Sequence, residues 1–100
     1  MNNPHHVNGW ELYDNDSMLY FKPLPSGFAF IDLTWMDITR EDPEYGTGKE
    51  YCVCVSEEDG EFEEAQERFA DLHHTDSYCI SEIVSREDAE KIILKYMEEN

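Results

Sequence analysis

Phe28-Ala29-Phe30-Ile31-Asp32-Leu33-Thr34-Trp35-Met36-Asp37-Ile38 is the longest β-like stretch of this 100-residue chain. Ala29, Ile31, Leu33 and Trp35 fall on one side of an extended backbone, and Phe28, Phe30, Asp32, Thr34 and Met36 on the other. The first set is apolar throughout; the second turns polar halfway. Upstream, Met18–Lys22 and the segment from Trp10 to Tyr13 also read as strands. Asp14-Asn15-Asp16-Ser17 separates them as a turn cluster. Pro23-Leu24-Pro25-Ser26-Gly27 stops the second, since proline cannot donate to a ladder and Gly27 permits a turn. Downstream, Thr39–Gly48 is a loop with Pro43, Gly46 and Gly48. Lys49–Ser56 is a fourth strand, with Tyr51, Val53 and Val55 on one side and Cys52 and Cys54 on the other. Such short connections predict an antiparallel meander.

The apolar period then changes. Phe62, Ala65, Phe69 and Leu72 are spaced for one helical face, and Glu61, Glu63 and Glu64 enrich the first turn with acids that suit the helix dipole. Tyr78–Val84 reads as a short fifth strand. Ser85-Arg86-Glu87-Asp88 is a cap and first turn, followed by Ala89, Ile92, Ile93, Tyr96 and Met97 on one helical face. The expected fold is α+β: a four- or five-stranded, mainly antiparallel sheet with two helices packed on one face, in the order β-β-β-β-α-β-α. Residues 1–9 read as a flexible arm and residues 10–100 as one domain. The expected core draws on Leu12, Leu19, Ile31, Leu33, Val53, Val55, Phe69, Ile83, Ala89, Ile92, Ile93 and Tyr96.

Charge narrows the function. Asp and Glu number 24 against 7 Lys and Arg, for a net charge of −17 and a pI near 4.2. This argues against direct binding to nucleic acid or an anionic membrane, because phosphate recognition needs clustered bases. With 40% hydrophobic and 13% aromatic residues, the chain has enough apolar surface for a core. Met1-Asn2-Asn3-Pro4-His5-His6 has neither a basic nor an apolar segment, so no signal peptide is expected. The odd count of three cysteines then predicts reduced thiols in a cytoplasm, the host's if the protein is phage-encoded.

Catalytic and metal motifs are weak. The candidate soft ligands are His5, His6, Cys52, Cys54, His73, His74 and Cys79, but C-x-C on a strand and adjacent histidines depart from zinc-site spacing. His73 and His74 fit a helix C-terminus instead. Asp14-Asn15-Asp16-Ser17 and Glu57-Glu58-Asp59-Gly60 lack the EF-hand ligand pattern. Gly46-Thr47-Gly48-Lys49 lacks the upstream glycine of a P-loop and the hydroxyl residue after its lysine. A negative field raises thiol pKa values, which disfavours Cys79 paired with His73 or His74 as a nucleophile. The sequence therefore predicts no enzyme, no catalytic residue, no metal site and no cofactor.

The acids themselves remain. Residues 31–64 hold twelve acids against Arg40 and Lys49. A charge of magnitude about 2–8 keeps a small domain soluble, and the excess destabilises the compact state by self-repulsion. Adaptation to high salt is one reason to carry it; a strongly basic partner is another. The favoured expectation is a non-catalytic acidic inhibitor of a basic, nucleic-acid-binding protein, acting as a nucleic-acid mimic. Viral or plasmid anti-defence proteins of the anti-CRISPR or anti-restriction type work this way. A bacterial immunity protein that neutralises a nuclease toxin is the alternative, with an adaptor domain as a third. The expected partner-binding residues are Asp37, Glu41, Asp42, Glu44, Tyr45, Glu57, Glu58, Asp59, Glu61 and Glu64. Trp35, Tyr45, Tyr51 and Phe62 are the candidate aromatic anchors, and Tyr45 is expected to be exposed.

Overall fold

The computed structural model describes residues 6–36, 38–72 and 79–100. Five strands, β1 (His6–Val7), β2 (Trp10–Asp14), β3 (Leu19–Pro23), β4 (Gly27–Trp35) and β5 (Tyr51–Asp59), precede two helices, α1 (Phe62–Leu72) and α2 (Arg86–Glu99). The strands lie side by side in chain order, every neighbouring pair antiparallel. This is the expected α+β meander.

The turns explain the register. Asn8 and Gly9 both have positive φ, 51° and 88°, between the paired residues Val7 and Trp10. Positive φ at both central positions defines a type I′ hairpin, whose twist matches the strands it joins. The last residues of the expected arm are thus strand β1. Between β2 and β3, the Asp14 carboxylate accepts from the Asp16 N–H at 3.0 Å and from the Ser17 hydroxyl at 3.3 Å. Leu24 and Gly27 exchange backbone bonds across Pro25 and Ser26, closing the β3–β4 hairpin.

Both faces of the sheet are apolar, and each is covered by one helix. Ala29, Ile31, Leu33 and Val53 pack with Trp10 and Tyr20 against Ala89, Ile93 and Met97 of α2. On the other face, Leu19, Phe30, Cys52 and Cys54 pack against Ala65 and Phe69 of α1. The expectation of both helices on one face is therefore corrected. Phe28 and Phe30 beside Cys52 and Cys54 make a second apolar surface that must also leave water, which gives three layers. Leu19, Ile31, Leu33, Val53, Phe69, Ala89 and Ile93 are buried as expected; Leu12, Val55, Ile83, Ile92 and Tyr96 are half-buried.

Two segments depart from their sequence reading. β5 runs on to Asp59, because Glu57, Glu58 and Asp59 pair with Ala29, Phe28 and Gly27. The strand expected over 78–84 is reduced to two bridges beside β5, Cys54 with Cys79 and Tyr51 with Val84. Between them the Ser81 hydroxyl, not a backbone carbonyl, accepts from the Val53 N–H at 2.9 Å, so the ladder is interrupted. Tyr78, His73 and His74 lie outside the described residues.

Ser85 caps α2. Its hydroxyl accepts from the Asp88 N–H at 3.2 Å, and Glu87 and Asp88 occupy the first turn. Ser85→Ala is expected to cost about 1 kcal/mol, the usual value of such a cap. The check is a lower urea midpoint with an unchanged slope.

Candidate functional site: an acid-rimmed aromatic corner and a three-cysteine cluster

The expected partner-binding residues fall into two groups at opposite ends of β5, whose nine residues span roughly 27 Å. Screening acts over about 8 Å at physiological salt, so the groups act independently on small charges. Asp37 lies outside the described residues.

The first group sits in the β4–β5 connection, where its acids serve the loop. Asp42 accepts from the Thr39 N–H at 2.7 Å, and Glu44 lies 3.7 Å from the Lys49 ammonium. Glu41 is exposed. Tyr45 is 51% exposed, as expected. Trp35, which the alternation put on the apolar stripe, is 58% exposed because it is the last residue of β4; its indole N–H donates to Glu50 at 3.1 Å. Tyr51 is half-buried against the α2 layer.

The second group gathers where β5 turns into α1. Glu57, Asp59, Glu61, Glu63 and Glu64 are exposed there, and Glu58 is half-buried. Arg68 is the base beside them: its Nε donates to Glu58 at 3.2 Å and its terminal nitrogen donates to the Asp59 carbonyl. Glu63 and Glu64 occupy the first turn of α1, where the dipole favours carboxylates.

Phe62, the first residue of that helix, is the hub of an aromatic cluster. Its ring lies 4.8 Å from Phe21, 5.1 Å from Tyr13, 5.3 Å from Phe28 and 5.9 Å from Phe30. Phe21, Phe28 and Phe62 are half-buried and Tyr13 is 54% exposed, so the cluster opens to solvent. Partly exposed rings beside the carboxylates of the first turn of α1 suit a cationic surface, above all guanidinium groups that can stack on a ring and pair with an acid. Of these rings the sequence reading named only Phe62. Phe21 and Phe28 become its neighbours through the pairing of Phe21 with Phe30 and Pro23 with Phe28, and no short-range pattern contains that register.

The third constellation is cysteine. Cys52 and Cys54 share one face of β5, and the bridge to Cys54 brings Cys79 against them. The Sγ atoms of Cys52 and Cys79 are 2.8 Å apart, those of Cys54 and Cys79 3.4 Å, and those of Cys52 and Cys54 4.0 Å. Met36 Sδ lies 3.5 Å from Cys52 Sγ, and the Thr34 hydroxyl 3.2 Å from Cys54 Sγ. Burial pushes the Cys54 thiol up to about 12, against a smaller opposing effect of the Thr34 hydroxyl, and pushes Cys52 up as well. Both are protonated at neutral pH and are poor nucleophiles as they stand. A cavity of about 300 Å³, lined by Met36, Cys52, Cys79, Ser81, Glu82 and Ile83, opens beside them. No residue spacing brings the three sulfurs together, because the third arrives by a β-bridge across 25 residues.

Comparison with known proteins finds no matching family model, curated protein or solved structure. Among the described residues, no helix is long and apolar enough to cross a membrane.

Proposed function

We propose that this protein is a non-catalytic acidic inhibitor that docks on the basic surface of a nucleic-acid-binding protein. The observation that carries the reading is the aromatic cluster around Phe62, next to Glu61, Glu63 and Glu64 at the start of α1. Buried aromatic anchors supply most interface energy, and a charged rim supplies steering and selectivity. The second acidic group, with Glu41 and Tyr45, is one strand length away. A partner with an extended basic groove can reach both groups, which favours a protein built to hold nucleic acid. The compactness of the corner around Phe62 also favours a second reading, an immunity-type protein matched to one patch on a nuclease toxin.

The test compares the native chain with the E61Q/E63Q/E64Q variant as baits in a bacterial lysate, with elution by rising salt and by competing duplex DNA. Glu58 is left intact because it holds Arg68. Three exposed pairs worth about 0.2–1 kcal/mol each predict a roughly tenfold loss of affinity and an earlier, flatter salt elution. A basic protein released by DNA from the native bait, and held weakly by the variant, is the expected result. Release by salt but not by DNA moves the reading to the immunity type. The same proteins held equally by both baits would sink the electrostatic model.

A further inference from the structure

We propose that Cys52, Cys54 and Cys79 form a trithiolate site for one thiophilic d10 cation, the class that includes Cu(I), Zn(II) and Cd(II). The sulfurs all lie within 4.8 Å of one another. An M–S bond of about 2.3 Å in tetrahedral geometry sets sulfur separations of roughly 3.8 Å. The observed 4.0, 3.4 and 2.8 Å bracket that value, and small side-chain rotations open the closest pair.

The donors sit on ordered backbone. Cys52 and Cys54 are two residues apart on β5, so the strand fixes their spacing. Cys79 is held by its bridge to Cys54 and by the neighbouring bond from the Ile80 N–H to the Val53 carbonyl at 2.8 Å. Donors on a strand such as β5 keep their geometry better than donors on a loop. The cavity over Cys52 and Cys79 gives an ion a way in and leaves a coordination position open on that side. Thiolate donors with a thioether alongside select soft cations over Mg(II) or Ca(II). The site is on the face covered by α1 and shares no residue with the acidic rim.

A chain of this charge also collects divalent ions on its carboxylates, so the readout must come from sulfur. The fully reduced protein is titrated with Cd(II) in excess Ca(II), and the near-UV thiolate-to-metal absorption is followed. The expected result is saturation at one Cd(II) per chain. Cys79→Ser is expected to weaken the affinity by more than about tenfold, beyond the loss seen when merely an outer-shell partner of a metal site is removed. Far-UV circular dichroism verifies the fold of the variant; if it is lost, Cys79→Ala carries the same comparison. Absence of the thiolate band in the native chain overturns the proposal. So does a band that survives unchanged in the folded variant, or a Cys52–Cys79 disulfide that reductant does not open.

Discussion

Phe30→Ala is expected to lower the unfolding free energy by about 3–5 kcal/mol, the range for a buried aromatic cut back to a methyl group. Phe30 is completely buried in the middle of β4, between the paired residues Phe21 of β3 and Ser56 of β5. Its ring stacks on Phe69 of α1 at 5.2 Å and 13°, and touches Phe62 at 5.9 Å. A hole there cannot close cheaply. The sheet is held on its far face by α2, so only α1 can move inward, and α1 is tied by Arg68, past its midpoint, to the end of β5. A domain of this size has a total stability of about 5–15 kcal/mol, so the variant is left near its unfolding threshold. Urea unfolding should show a much lower midpoint with the slope retained, and each kcal/mol should take about 4–8 °C from the melting temperature. A loss below about 1 kcal/mol would mean that α1 does not pack on the sheet as described. The same packing serves the acidic corner, because Phe30 and Phe69 seat the helix whose first turn carries Glu63 and Glu64.

The meander and both helices were legible because each apolar pattern agrees with its element. Ala29, Ile31 and Leu33 alternate, and Ala89, Ile93 and Met97 repeat every four residues. The three-layer arrangement was harder to read. Asp32 and Thr34 make the second face of β4 look solvent-facing, yet Asp32 is buried beside Cys54. One buried polar residue can hide a whole apolar face when its partners are distant in sequence. The β1–β2 hairpin was within reach: Asn8-Gly9 is the strongest short-range signal for a type I′ turn, and the polar composition of the first residues masked it.

The candidate sites show the same limit more sharply. The acids of 57–64 are contiguous in sequence, so their clustering was readable. Their aromatic centre was not, since Tyr13, Phe21, Phe28 and Phe62 meet through four different elements. The similar acidity of the 41–44 and 57–64 runs also hid a difference in use. Asp42 and Glu44 hold the loop that contains them, whereas Glu61, Glu63 and Glu64 face solvent. Cys52 and Cys54 were correctly placed on one strand face; the arrival of Cys79 depended on a pairing register that no residue spacing encodes.

Gly27→Ala is expected to destabilise the fold by about 3 kcal/mol, the upper part of the range for forcing an extra carbon into packed structure. The sign is not obvious beforehand. Gly27 does not have a positive φ, so alanine would suit its backbone and would restrict the unfolded chain, a gain of about 0.4–1 kcal/mol. Sterics oppose this and win. A Cβ on Gly27 would lie 2.6 Å from the Asp59 Cα and closer still to the Glu58 carbonyl oxygen. Those neighbours are backbone, not the flexible ends of side chains, so relief requires the last pairs of β4 and β5 to separate. They are pinned from both sides: Leu24 and Gly27 exchange backbone bonds across the preceding turn, and the Gly60 N–H donates to Ser26 at 3.0 Å. The cost therefore falls on the corner where β5 gives way to α1. Amide hydrogen exchange should speed up first at Gly27, Glu58 and Gly60, and the urea midpoint should fall with it. Wild-type stability in Gly27→Ala would show that β5 separates from β4 before Asp59, and the acidic corner would then lack the rigid base that its role as a docking surface requires.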